Sequence, residues 1–77
     1  MFEEFLAKYI YLAVKSDAGI FFHKCALLNG LTDTHITILD AFNGKPYFYK
    51  ISNIEKIELS KKDPEEVKKE GGWKNAD

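Results

Sequence analysis

Between Tyr9 and Leu59, apolar residues recur at every second position in short runs, and clusters of turn-forming residues stop each run. Side chains on a strand point alternately to its two faces, so this period marks strands. Ile10, Leu12 and Val14 alternate with Tyr11, Ala13 and Lys15 in the first run. Ser16-Asp17-Ala18-Gly19 turns the chain into a second run, Ile20 to Leu28, where the adjacent Phe21 and Phe22 predict a strand covered on both faces. Asn29-Gly30 admits positive φ, and hence a bend, bulge or tight turn. Thr32-Asp33-Thr34 supplies another turn, because these side chains bond readily to nearby backbone. The third run, His35 to Ala41, keeps Ile36 and Ile38 on one face. Asn43-Gly44 is the clearest hairpin signal. Pro46 has no N–H to give, so it belongs at a strand start or on a sheet edge. The fourth run, Tyr47 to Ile51, is aromatic; Ser52-Asn53 breaks it, and Ile54 to Leu59 forms a fifth.

The two ends read differently. Phe2, Phe5, Leu6 and Tyr9 fall on one face of a short helix over Met1 to Lys8, with Glu3 and Glu4 where the helix dipole favours negative charge. So short a helix is unstable alone in water, and it reads as a flap held down by aromatic burial. Beyond Ser60 the chain is highly charged, with Val67, Trp73 and Ala76 as its apolar residues. Asp63-Pro64-Glu65-Glu66 reads as an N-cap, a proline at the first helical position and a capping-box glutamate. Gly71-Gly72 would stop that helix. The expected organisation is one domain over residues 1–60, then a charged tail over 61–77 that is partly helical or disordered.

Composition narrows the function classes. The chain has 77 residues, 45% of them hydrophobic, which fits one small globular domain and argues against disorder. No apolar stretch approaches the roughly 20 residues of a membrane-spanning helix. The single cysteine, Cys25, gives no internal disulfide and suits a reducing compartment. A soluble cytoplasmic domain with no membrane association is expected. Eleven basic residues, all lysine, oppose twelve acids. That balance lacks the basic excess that usually drives nucleic-acid binding. Any such contact must come from local geometry or from repetition in an oligomer.

Five short strands behind a helix are too few for a two-layer sandwich, whereas a strongly bent sheet rolled around one core removes most edges. The expected fold is mainly β, a five-stranded SH3-like small barrel. That layout resembles the Sm-like proteins, a family that includes bacterial Hfq. Gly30-Leu31-Thr32-Asp33-Thr34-His35-Ile36-Thr37-Ile38-Leu39 is similar to the first Sm motif, in which a glycine-aromatic-aspartate turn leads into a strand. Tyr49-Lys50-Ile51-Ser52-Asn53-Ile54 is similar to the junction of the fourth and fifth strands, where Hfq carries Tyr-Lys-His. The resemblance covers about residues 2–59. Departures are plain: Thr37 stands at the base-contacting asparagine, Thr32 is inserted, Ile51 replaces the histidine, and the Arg-Gly pair of other second motifs is absent. These bear on RNA contact more than on fold.

The resemblance implies a homo-oligomeric ring that binds single-stranded RNA, with Asp33, His35, Thr37 and Lys50 as ligand residues at two turns. Their other reading is turn chemistry for Asp33 and Thr37, with His35 and Lys50 solvated. Tyr47, Phe48, Tyr49, Ile54, Ile57 and Leu59 are the implied subunit interface, since the family pairs its fourth strand with a neighbour's fifth. Within the aromatic run, Tyr47 and Tyr49 share a face and Phe48 is expected to enter the core. His23 and Cys25 lie two apart, but no second cysteine or close histidine pair completes a zinc spacing. No serine or cysteine sits in a recognised nucleophile setting. No enzyme activity, metal, cofactor or small-molecule substrate is expected. The alternative of a different class is the same barrel acting as a protein-interaction or structural module.

Overall fold

The computed structural model describes residues 2–71. Five antiparallel strands form one sheet: β1 (Tyr9–Ser16), β2 (Gly19–Leu31), β3 (His35–Asp40), β4 (Pro46–Lys50) and β5 (Ile54–Leu59). Their spatial order is β4-β3-β2-β1-β5. The mainly-β expectation therefore holds, and β4 and β5 are the two edges.

Strand β2 is the spine. It pairs with β1 from Ser16 opposite Gly19 to Tyr9 opposite Leu27, and its second part, Ala26 to Leu31, pairs with β3. Two register shifts bend it. One lies between Ile10 and Leu12, where Tyr11 faces two residues, Lys24 and Cys25; the other lies between Leu28 and Gly30. Each is a bulge, which increases local twist and curls the sheet. The Asn29-Gly30 signal is thus a bulge inside a long strand, and β2 runs on to Leu31.

The bend turns alternate residues of three strands toward one interior. Ile10, Leu12 and Val14 of β1, Ala26 and Leu28 of β2, and Ile36 and Ile38 of β3 make the buried core. Tyr47 and Tyr49 from β4, Ile54 and Ile57 from β5, and Phe2 and Phe5 from the N-terminus pack around it. Truncating any of the fully buried Leu or Ile side chains would cost about 2–5 kcal/mol.

Turns follow the local chemistry. Gly19 takes φ 123° at the end of the β1–β2 turn, where only glycine is unstrained. Gly44 takes φ 71° and donates to the Asp40 carbonyl at 2.8 Å, closing the β3–β4 hairpin.

Three expectations are corrected. The N-terminal helix is only a 3-10 turn, Glu3–Phe5. Ala7 then adopts φ 67° and donates to the Leu28 carbonyl at 2.8 Å, which draws the chain into the sheet. Phe21 and Phe22 are not covered; they are 53% and 56% exposed. Pairing of β2 with β3 covers only Ala26 to Leu31, so along Phe21 and Phe22 the strand has β1 as its one neighbour and a free edge beside it. Phe48 does not enter the core: it is 67% exposed, because Pro46 opens β4 opposite Leu39 and places Tyr47 and Tyr49 on the inner face. The expected helix in the tail holds. Helix α1 (Pro64–Gly71) is capped by Asp63, whose side chain accepts the Glu65 amide at 3.0 Å. Val67 anchors it in a second small cluster with Cys25 and Ala41. Trp73 and Ala76 lie outside the described residues.

Candidate nucleic-acid interface

Three of the four turn residues singled out from the sequence come together. A cleft of about 510 Å³ is lined by Asp33, Thr34, His35, Lys50, Ile51 and Ser52. The β2–β3 turn forms one wall. Thr32 organises it: its Oγ1 accepts the His35 amide at 3.0 Å, and its amide donates to the His35 carbonyl at 2.9 Å. The end of β4 forms the other wall, tied across by the Ile51 amide donating to the Thr34 carbonyl at 2.8 Å. His35 and Lys50 are direct partners in the β3–β4 register.

Thr37 stays outside the cleft. It lies two residues further along β3, on the same face as His35 and opposite Phe48. A Cβ built on Gly30 would lie 3.2 Å from the Thr37 Cβ, so Thr37 closes over the β2 bulge.

Sequence reasoning missed the aromatic member of this site. Phe48 stacks on His35 with ring centroids 4.7 Å apart and planes within 5°. This half-buried histidine is held on one side by Thr34 Oγ1, 2.8 Å from Nδ1. The exposed side of Phe48 leaves a planar surface open to solvent. Asp33 and Lys50 form no ion pair among the described residues. A planar stack, a cation and a carboxylate beside a shallow cleft can hold a base by stacking, an edge by hydrogen bonds and a phosphate by charge. Parity counting back from Ile36 and Ile38 through the Asn43-Gly44 hairpin would have placed Phe48 outside.

A second polar constellation lies on the inner face. His23 and Asp40 are both buried, and His23 Nδ1 donates to the Asp40 carboxylate at 2.5 Å. A carboxylate can only accept, so Nδ1 carries the proton of that bond, and Nε2 lies 2.6 Å from the Tyr49 hydroxyl. Asp40 Oδ1 also takes the Phe42 amide at 2.6 Å. Burial pushes the Tyr49 phenol above its ordinary range, with smaller pushes from Tyr47 and Asp40, so it stays a donor. Every buried side-chain polar atom among the described residues has a partner. This chain of bonds ties β2, β3 and β4 together beside the Tyr47 ring, and His23, Asp40 and Tyr47 also line a groove of about 410 Å³. The partners are 17 and 26 residues apart, so no sequence spacing announces them.

Cys25 is buried, and burial raises its thiol above the ordinary range, which makes it a poor nucleophile. No group of three or more His, Cys, Asp or Glu side chains placed to hold a metal ion occurs among the described residues. No helix among them is long and apolar enough to cross a membrane.

The interface residues expected from the sequence divide. Tyr47, Tyr49, Ile54 and Ile57 pack on the chain's own core, whereas Phe48 and Leu59 stand exposed on the two edge strands. The chain matches no protein-family model, no curated protein and no solved structure.

Proposed function

We propose that this chain is a non-catalytic, Sm-like β-module that associates through its two free strand edges and holds single-stranded RNA in the cleft between Asp33 and Lys50. The observation that carries the reading is the His35–Phe48 stack beside Lys50, at the mouth of that cleft. A stacked, solvent-facing aromatic next to a cation is the arrangement that sequence-tolerant binders of unpaired bases use. Support for association comes from the strand order, which leaves one edge at β4 and the other at β5. Repetition around an assembly would multiply weak single contacts into useful affinity. With a near-neutral chain, binding is modest and salt-sensitive.

Fluorescence anisotropy with short U-rich and A-rich RNAs, at low and moderate salt, tests the reading. Wild-type protein should bind in low salt, and His35→Ala/Lys50→Ala should lose most of that affinity. Absence of binding by the wild type at low salt refutes it. Sedimentation tests the assembly, since a single 8.8 kDa species at micromolar concentration would remove it. A second reading, a protein-interaction module, is favoured by one separate feature: the groove of about 410 Å³ walled by Phe21, Phe22 and Phe42.

A further inference from the structure

The acids and lysines of this chain are not evenly mixed in space. Several acids are engaged in structure: Asp40 in the buried histidine pair, Asp63 as the cap of α1, Glu65 and Glu66 in its first turn. Lysines gather instead on the outward face of β1, β2 and β5. Tyr11, Ala13 and Lys15 point outward from β1, since Ile10, Leu12 and Val14 point in. Across from them on β2, Phe22 pairs with Ala13 and Ile20 with Lys15. On β5, Lys56 pairs with Ala13 and Glu58 with Tyr11.

The rings and cations interleave. Tyr11 and Phe22 are 6.2 Å apart between centroids, and Lys56 Nζ lies 5.8 Å from the Tyr11 ring centre. A cleft of about 320 Å³ beside them is lined by Tyr11, Lys24, Glu58, Leu59, Lys61 and Lys62. Glu58 is paired to Lys56 at 3.6 Å, while Lys15, Lys24, Lys61 and Lys62 form no ion pair among the described residues. The next acids along these strands are Asp17, in the hairpin turn, and Glu55, before Lys56.

We infer that this face is a second contact surface for single-stranded nucleic acid, with Lys24, Lys61 and Lys62 on phosphates and Phe22 as a stacking platform. The step rests on the nucleic-acid reading of the protein, but on none of the residues of the first cleft. Charge complementarity calls for a polyanion, and the open ring of Phe22 selects among polyanions. Unpaired nucleic acid offers phosphates and bare base faces side by side, matching lysines set beside an exposed ring, whereas a duplex keeps its bases covered.

The test measures the full chain's binding of a fluorescein-labelled U-rich RNA across a salt series, with thermal melts to confirm folding. Lys61→Ala/Lys62→Ala should weaken binding and flatten the slope of log K against log salt by about 1.4, at roughly 0.7 per lost phosphate contact. Phe22→Ala should weaken binding about 5- to 100-fold with the slope unchanged, as loss of one stacked base predicts. Wild-type slope and affinity in both variants, together with loss in His35→Ala/Lys50→Ala, would overturn the second surface and leave the first cleft standing. The reverse pattern would sink the first cleft and keep this one. Equal displacement of the RNA by polyglutamate would assign the face to acidic protein segments and overturn the inference.

Discussion

The two histidines of this chain sit in opposite situations although both meet aromatic residues of β4. His23 faces inward, with Tyr47 and Tyr49 around its ring, an aspartate on one nitrogen and a phenol on the other. His35 faces outward, stacked on Phe48, with Thr34 at Nδ1 and the cleft beside it. Position on the pleat, rather than residue type, decides the difference. The consecutive Tyr47, Phe48 and Tyr49 are split by the strand's alternation into two inward rings and one outward ring. The inward set spends its hydrogen bonds within the fold, although His23, Asp40 and Tyr47 also line the groove beside Phe21 and Phe22; the outward set has open faces. A polar cluster with every valence filled holds a fold together, and one with open faces can hold something else.

Substitutions on the two sides should separate sharply. The largest effect belongs to Asp40→Ala, which strips an acceptor from both His23 Nδ1 and the Phe42 amide. One donor left buried and a second part-buried without partners would cost about 2–3 kcal/mol, read as a lower urea midpoint at unchanged slope. Tyr49→Phe comes next, losing the hydroxyl bonded to His23 for about 1 kcal/mol. This variant also carries a pH signature. Because burial raises the Tyr49 pKa in the folded state, its contribution is fully present below the ordinary tyrosine value, about 10. It is lost as pH rises through the folded value. Wild-type stability should therefore fall in strong alkali more steeply than that of Tyr49→Phe, by chemical denaturation at several pH values. Smallest is His35→Ala, expected within about 0.5 kcal/mol of wild type because the residue lies at a solvated cleft. A loss for His35→Ala matching that of Asp40→Ala would erase the contrast between the sides.

Much of the fold was legible because its signals are local. Alternation in Ile10-Leu12-Val14 and Ile36-Ile38, with Asn43-Gly44 between strands, needs nothing beyond neighbouring residues. The β5 limits, Ile54–Leu59, match the sequence reading. The N-terminal segment misled because Phe2, Phe5 and Tyr9 spaced for a helix face also suit a 3-10 turn entering a strand. Only the Ala7 bond to Leu28, across the fold, decides between them. Of the site, Asp33, His35 and Lys50 were legible from the turns that carry them. Phe48 was missed although the signal was present: parity carried from Ile36 and Ile38 through Asn43-Gly44 puts it opposite Thr37, on the outer face. The anchoring of α1 by Val67 was hidden because Cys25 and Ala41, which receive it, are far away in sequence.

The sheet ends in two unlike borders, one opened by Pro46 and the other flanked by Glu55, Lys56 and Glu58. A twofold pair would join like border to like and leave the remaining border of each copy in water. Joining unlike borders makes every added copy present the same vacancy it has just filled, so growth halts only when the last copy meets the first. In such an assembly the curvature set by the two bulges in β2 would tilt each step, and the sum of those tilts would set how many copies complete the circuit.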